Sequence, residues 1–420
     1  MRPLRPVAPA LVAPALVVWT LSWLLLAGHP AAAQLRPAHT GGAATADSAA
    51  TVYSNPAGMA RLERPDLVMQ MVLAYSESQF EVSEGTTTDG GDSDTNENVI
   101  VVPSIYFASP ALHERLRLGL SLNVPSGIGS DYGDEWAGRY ITTESSLVFV
   151  ALNAAASIRL FDFLSIGGSV EFLYTESKTR SKVNNRGEDL PDGRVELETD
   201  GVGVGGSVSA LFELGDRHRL GVVYRPKTET DVDGVPEFDG LGPALTAALA
   251  AGGLFNQRVE IGMNSPQRVQ VGLYSEPIDR LSLTLDSMWI DMKDFGNVDV
   301  SVGNSSTSVD GEYQDMWTIG ASAGWRFTDD LEALVGFHYI SPAISDSNRT
   351  LSLPFDRIYV VGAGLRYAWT KWMEISTSVN YYDTGDSRVD TEPNARAGRV
   401  VGEFDPSYAV AIDLGVQFRF

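Results

Sequence analysis

The sequence predicts an all-β protein: a transmembrane antiparallel β-barrel of about 14 strands, with a small N-terminal plug (hatch) of short helices inside the lumen. Three observations predict this fold. Strand-length segments alternate apolar and polar residues with a period of two, and the connections between them alternate between short and long. The region before the first such segment lacks the alternation and contains helix-start signals instead.

The composition excludes several classes of protein. The 420 residues carry a formal net charge of −23, which argues against a nucleic-acid partner because phosphate binding needs clustered Lys and Arg. The absence of cysteine removes disulfides, thiolate nucleophiles and Cys-based zinc sites. No Ser-His-Asp or paired-carboxylate arrangement stands out. We therefore predict that the protein is not an enzyme and uses no metal or cofactor.

The first 33 residues have the layout of a secretory signal peptide. Arg2 and Arg5 precede an apolar run over residues 7–27, and an A-x-A cleavage signal ends at Ala33. A retained membrane anchor is the alternative, since about twenty apolar residues can span a bilayer. Prolines inside the run and the alanine-rich exit favour cleavage after Ala33. We expect an exported protein.

Residues 34–66 form the predicted plug. Asn55 is a strong N-cap and Pro56 suits the first helical position, so Asn55-Pro56-Ala57-Gly58 predicts a short helix. Small residues allow close backbone packing inside a lumen, and the alternative is a disordered periplasmic tail. Three apolar residues give the segment something to bury: Tyr53, Met59 and Leu62.

Residues 67–420 form the predicted barrel. A soluble β-sandwich also alternates, but six short and seven long connections in strict alternation are typical of an outer-membrane barrel with its short turns in the periplasm. The last strand shows the alternation most clearly, with apolar Tyr408, Val410, Ile412, Leu414, Val416, Phe418 and Phe420. We expect the terminal Phe420 to be recognised by the barrel assembly machinery, in the outer membrane of a Gram-negative-type bacterium.

The predicted long connections are residues 83–98, 131–138, 183–195, 230–259, 294–311, 342–354 and 385–406. Outer-membrane lipid and lipopolysaccharide are the expected neighbours of such a barrel. His338 is expected at its aromatic girdle.

Several motifs resemble those of the FadL-type long-chain fatty acid transporters, also called the outer membrane protein transport or toluene-transporter family. Residues 54–60, SNPAGMA, resemble the family's NPA signature, and residues 123–127, 136–140, 265–269 and 353–357 are similar to further family stretches. The resemblance implies a fourteen-stranded barrel with an N-terminal hatch, passive uptake of hydrophobic molecules such as long-chain fatty acids, and sideways exit at a kinked third strand. We expect a monomer.

The longest predicted connection contains an alanine-leucine run over residues 243–251, which reads as a short helix closed by glycine. An apolar helix on a surface loop must cover something. We expect a ligand-capture site there, and packing against a neighbouring loop is the alternative. The residues to test are Leu245, Leu249, Leu254 and Phe255.

The third strand carries Pro125, Gly127 and Gly129. Proline cannot donate to a β-ladder and glycine weakens one, so strand pairing is expected to fail there. The family resemblance implies that this failure leaves a lateral opening in the wall. The alternative is that the strand ends at Val124 and an ordinary turn follows.

Arg139 and Arg366 are candidate anchors for a ligand carboxylate, and an interior arginine paired with neighbouring Asp or Glu is the alternative. The cargo stays open between fatty acids, aromatic hydrocarbons and other lipids. Two other functions are carried as alternatives: a general polar porin, and a structural or adhesion barrel.

Overall fold

The computed structural model describes residues 37–112, 115–185, 189–252, 255, 257–303, 305–352, 355–393 and 397–420. The predicted signal peptide, Leu254 and the Leu353-Pro354 step of the family-like stretch lie outside the described residues. Within them, no helix is long and apolar enough to cross a membrane.

Twenty strand segments in the described part of the chain form one antiparallel sheet. They are β1 Asp66–Val82, β2 Asn96–Ala108, β3 Leu116–Asp131, β4 Glu144–Phe161, β5 Leu164–Val183, β6 Gly193–Leu214, β7 His218–Arg225, β8 Thr228–Gly234, β9 Glu237–Asp239, β10 Val259–Ser265, β11 Arg268–Ile278, β12 Leu281–Ile290, β13 Asn297–Val302, β14 Ser305–Asp310, β15 Met316–Arg326, β16 Leu331–Ile340, β17 Ile358–Thr370, β18 Met373–Asp383, β19 Ser387–Asp390 and β20 Val401–Arg419.

The helical segments are short. They are a 3-10 turn at Pro37–His39, α1 at Thr51–Ser54, a second 3-10 turn at Pro56–Arg61, α2 at Pro243–Ala251 and α3 at Met292–Gly296.

These segments make a closed barrel of fourteen wall strands, as predicted. Five wall strands consist of two segments each, namely β7 with β8, β10 with β11, β12 with β13, β14 with β15, and β18 with β19; β9 is a loop strand that pairs with β6. The barrel closes where β1 pairs with β20, from Asp66↔Arg419 onward. Closure removes the free sheet edges that lipid cannot hydrate.

Alternation along the strands places apolar side chains outside, where the bilayer is, and small or polar ones inside. In β16, for example, Val335 and Phe337 point outward while Gly336 and His338 are buried inside. His338 therefore faces the lumen, and the expectation that it lies at the aromatic girdle is wrong. Its neighbours on the strand fix the direction, because a one-residue change of register would move every side chain to the other face.

The strands are longer at the long-loop end than the sequence suggests. Residues 294–311, expected as a loop, contain the end of α3 and a hairpin in which β13 pairs with β14 from Asn297↔Asp310 to Val302↔Ser305. Val298, Val300 and Val302 are buried in the interior cluster that stabilises this extension. The predicted 385–406 connection likewise contains β19 and the start of β20. These loops are shorter than expected.

Candidate functional site

The N-terminal segment, residues 37–61, lies inside the barrel. Its backbone is bonded to side chains from widely separated wall strands. Ala38 donates to Asn380 of β18 (2.6 Å), Gly41 to Asp286 of β12, Ala49 to Asp66 of β1 (2.9 Å) and Ala57 to Ser209 of β6 (3.0 Å), while the carbonyl of Tyr53 accepts from Arg225 of β7. A segment bonded to both sides of the wall occupies the lumen.

Asn55 is the centre of this segment. It is fully buried; its Oδ1 accepts from the Ala57 amide (3.1 Å), and its Nδ2 donates to the carbonyls of Ala43 and Ala210. Pro56 begins the turn as expected, although the turn is 3-10 rather than α-helical. Tyr53, Met59 and Leu62 are buried in one cluster with wall residues. One side chain thus caps a turn, ties two stretches of the segment together and bonds the wall.

The wall carries glycine where this segment approaches it most closely. A Cβ at Gly221 of β7 would clash with the Ala43 carbonyl oxygen, and a Cβ at Gly167 of β5 would clash with the Ala57 amide nitrogen. Both neighbours are backbone atoms that cannot rotate aside. At these two positions the backbone of the N-terminal segment therefore lies directly against the backbone of the wall, with no wall side chain between them.

We predict that Gly221→Val loosens the N-terminal segment and raises the ion conductance of the barrel in planar bilayers. Overpacking a tight contact costs about 1–3 kcal/mol, and here the clash is with backbone. Gly215→Asn is the matched control, since a Cβ there meets none of the described atoms within 4 Å and asparagine tolerates the positive φ of this turn. Equal conductance in Gly221→Val and the control would contradict the tight contact.

A cavity of about 480 Å³ lies beside this segment, within the range of small-molecule sites. Its walls are mainly apolar, with Val72, Ile340 and Val360 among them. The lining also includes Val101 and Val148, which are 55% and 37% exposed on the outer face of the barrel. The cavity therefore reaches from the lumen to the outer surface of the wall.

Polar groups meet the cavity at His39 and Tyr382. His39 Nε2 lies 2.6 Å from the Tyr382 hydroxyl, and its Nδ1 is buried without a hydrogen-bond partner among the described residues. His338, also on the lining, has its Nδ1 3.1 Å from the Ala38 carbonyl oxygen. Sequence reasoning missed His39, because only the fold brings the N-terminal segment against β18.

The cavity reaches the surface because the wall is interrupted between β2 and β3. These strands pair only from Ile105↔Leu122 to Ala108↔Gly119, although both continue well beyond Ile105 and Leu122. β3 does not end at Val124, the alternative considered above; it continues to Asp131.

Pro125 lies in a bulge of β3, where the register with β4 shifts between Asn123 and Ser126. Gly127 and Gly129 follow in the same strand and line the cavity. The disturbance of strand pairing therefore lies at the bulge that contains Pro125. That the wall serves as an exit there stays a prediction.

The helix α2 covers the interior from the long-loop end. Leu249 is 1% exposed and belongs to the large interior cluster, against which Leu245 and Phe255 pack. The helix therefore packs one face, at Leu249 and Leu245, against the interior cluster, while the rest of its surface is largely exposed. Ligand capture by these residues remains a prediction.

Both candidate arginines are paired with carboxylates. Arg139, in the loop after β3, contacts Asp89 and Asp192 at 3.1 Å each. Burial, and then the hydrogen bond to Asp192, raises the pKa of the neighbouring Tyr140. This pairing is the alternative left open by the sequence, and Arg139 does not line the cavity.

Arg366 lies at the short-turn end. It contacts Asp47 (2.9 Å) on the N-terminal segment and the wall carboxylates Glu374 (2.8 Å) and Glu332 (3.5 Å). Arg366 is not on the lining of the cavity either. Its geometry ties the segment to the wall, and a carboxylate-binding role for it stays a prediction.

Another polar cluster that sequence reasoning missed lies deep in the lumen. Arg225 is almost fully buried, stacks on the Tyr53 ring at 4.2 Å and has Glu171 at 3.9 Å. Arg268 donates to the Tyr53 hydroxyl (3.0 Å). The cluster binds the N-terminal segment from a part of the wall other than the strand that carries Arg366. Among the residues the structure describes, no group of His, Asp or Glu is arranged to hold a metal ion.

Residues 27–420 match the model of a family described as outer membrane protein transport protein (OMPP1/FadL/TodX). The chain belongs to this family. Membership places it in the outer membrane and confirms the predicted resemblance. The family consists of transport proteins, in line with the prediction that the chain is not an enzyme.

Relatives in this FadL-type family are distant in sequence. The long-chain fatty acid transport protein of Escherichia coli O6:H1 is 22% identical, over 82% of this chain and 83% of that protein. The 47 kDa outer membrane protein of Pasteurella multocida is 24% identical, over 91% of each chain.

Solved structures share the fold. A FadL homologue of Pseudomonas aeruginosa superposes with a TM-score of 0.84 at 19% identity, covering 94% of this chain and all of that one (100%). The toluene transporter TbuX of Ralstonia pickettii gives 0.67 at 18% identity, covering 94% and 99%.

Proposed function

We propose that this protein takes up hydrophobic molecules passively across the outer membrane, with long-chain fatty acids as the first candidate cargo. The observation that carries the proposal is the apolar cavity that continues through the wall between β2 and β3. A cavity open to lipid gives an apolar molecule a path that avoids the water on the periplasmic side. Fatty acid and toluene transporters among the relatives and solved structures support the same class of cargo.

Energetics favour such a path for apolar cargo. A saturated chain of about sixteen carbons gains roughly 12 kcal/mol on transfer from water, at about 0.8 kcal/mol per methylene. A water-filled porin offers that chain no such gain. The filled lumen and the apolar cavity argue against the polar-porin alternative, and the wall opening has no use in a purely adhesive barrel.

The N-terminal segment acts, in this proposal, as the plug that closes the water path. The predicted capture residues Leu245, Leu249 and Phe255 would receive cargo at the mouth, and the cavity would pass it to the gap flanked by Pro125, Gly127 and Gly129. The concentration gradient drives the flux.

His39 is our candidate for contacting a cargo carboxyl group. Among the described residues, no Arg or Lys lines the cavity. When the Tyr382 hydroxyl donates to Nε2, Nδ1 of His39 carries the proton and is free to donate to an acid. This distinguishes acidic cargo from toluene-like hydrocarbons, which accept no such bond.

The test is uptake of labelled long-chain fatty acid and of toluene by cells that express the protein in place of their own transporter. We predict that His39→Phe lowers fatty acid uptake about tenfold, as loss of a charge-assisted hydrogen bond implies, and leaves toluene uptake unchanged. His218→Phe, an exposed histidine near the short turns, is the control.

Two results decide between the readings. Absence of uptake of either compound by the unmodified protein refutes the transport proposal. Equal loss of both compounds in His39→Phe shows that His39 only supports the fold of the cavity, and fatty acid selectivity by this residue is then rejected.

A further inference from the structure

The β2–β3 ladder stops at a definite rung, and the backbone directions explain which one. The Ser109 amide donates to the Leu118 carbonyl (2.8 Å), so residue 109 points its backbone towards β3. Backbone direction alternates along a strand, and the β1–β2 register is unbroken from Asp66↔Ala108 to Ser78↔Asn96. Odd-numbered residues of β2 therefore point towards β3 and even-numbered ones towards β1.

A bond at the closing seam gives the same assignment independently. The Phe420 amide donates to the Pro65 carbonyl (3.0 Å), so odd residues before and along β1 point towards β20 and even ones towards β2. In the β1–β2 register even residues pair with even residues. Both observations show that the odd-numbered residues of β2 point their backbone N–H and C=O groups towards β3.

The rung after Ile105↔Leu122 would join residue 103 to Val124, and residue 103 is Pro103. Proline has no amide hydrogen, so the bond to the Val124 carbonyl cannot form. Towards β1 the same proline is harmless, because Pro103 lies opposite Met71 at a pair that makes no hydrogen bonds. Pro103 therefore removes a donor on the β3 side only.

The upper border of the gap is made differently. Asn98 Nδ2 donates to the Gly129 carbonyl (2.8 Å), and the Asp131 amide donates to Asn96 Oδ1 (3.0 Å). Side chains thus join the two strands above the gap. Between Asn98 and Ile105 the gap runs for roughly 20 Å of strand, at about 3.3 Å per residue.

Pro125 lies within the bulge of β3, between Asn123 and Ser126, where the register with β4 shifts. Before the bulge the even residues of β3 point towards β2, as Leu118 does, and beyond it the odd residues do, as Gly129 and Asp131 do. The two prolines therefore act at different places: Pro125 lies in the bulge of β3, and Pro103 removes the donor of the next β2–β3 rung.

We propose that Pro103 is a positioning residue that keeps the barrel wall open between β2 and β3. The consequence for transport rests on the function proposed above. An amide at position 103 would let the ladder advance past Leu122 and narrow the opening from below.

The test replaces Pro103 with valine in the full chain, expressed in the outer membrane. We expect hydrophobic uptake to fall about fivefold, the population shift that one net hydrogen bond provides. The new amide at position 103 should be protected in hydrogen–deuterium exchange. Pro110→Val, in the exposed turn between the two strands, is the control for uptake and should leave it unchanged.

A rescue variant separates the gap from general damage. Val101 also points towards β3, so Val101→Pro added to Pro103→Val should stop the ladder after the rung at residue 103 and restore part of the uptake. Normal uptake by Pro103→Val, or an amide at 103 that exchanges freely, overturns the proposal. If the unmodified protein takes up nothing, the transport function fails, while the exchange measurement still decides whether Pro103 holds the wall open.

Discussion

Replacing Asn55 with alanine is expected to unplug the barrel without preventing its assembly. The substitution takes the donor from the Ala43 and Ala210 carbonyls and the cap from the Ala57 amide. Each buried group left unsatisfied costs about 1–3 kcal/mol. A factor of ten in population needs only about 1.4 kcal/mol, so a large fraction of molecules should have a loosened segment.

The measurements are ion conductance in planar bilayers and hydrophobic uptake in cells. We expect conductance to rise and uptake to fall, with the folded barrel still recognised by its shifted mobility on unheated gels. Asn297→Ala, at an exposed asparagine of β13, is the matched control. A polar porin would conduct without the substitution, and an adhesive barrel would show no change of uptake, so either pattern counts against the transporter.

Replacing Arg366 with methionine is expected to give the largest loss of stability. Arg366 is largely buried, with its side chain 11% exposed, and it contacts Asp47, Glu332 and Glu374, so its removal leaves three carboxylates close together. Removing one partner of a buried ion pair costs about 3–5 kcal/mol because the remaining charge stays desolvated. The midpoint of unfolding by guanidinium chloride should fall accordingly.

Two further variants make this prediction specific. Arg388→Met removes an exposed ion pair with Glu403 and should cost about 0–1 kcal/mol. Adding Asp47→Asn to Arg366→Met should recover part of the stability, because one of the three carboxylates around the lost guanidinium is neutralised. A loss no larger than that of Arg388→Met would show that Arg366 does not hold the N-terminal segment to the wall.

The sequence predicted the barrel because lipid imposes a pattern that can be read directly. Wherever a strand crosses the bilayer, as β16 and β20 do, alternate residues must be apolar. Above the bilayer the pattern reverses: Asn297, Asp299 and Ser301 face outward, while Val298, Val300 and Val302 are buried. A search for strands with an apolar outer face ends where the strand leaves the bilayer. For that reason the β13–β14 hairpin was expected as a loop.

The candidate site could be predicted only in part. Asn55 and Pro125 are recognisable from local chemistry, a cap and a lost donor. Pro103 has the same chemistry, but its effect depends on which neighbour its backbone faces, and that requires the register. His39 depends on tertiary structure altogether, because nothing within the first forty residues indicates that Tyr382 will lie 2.6 Å away.

The glycines at positions 167 and 221 limit how the lumen can change during a transport cycle. Glycine is a poor strand former, so β5 and β7 rely on the segment that lies against them for part of their stability. If the whole N-terminal segment left the lumen, β5 and β7 would lose this contact, and two destabilised strands would face water. We therefore expect transport through this protein to depend on small local rearrangements around the cavity, while the N-terminal segment stays inside the barrel throughout.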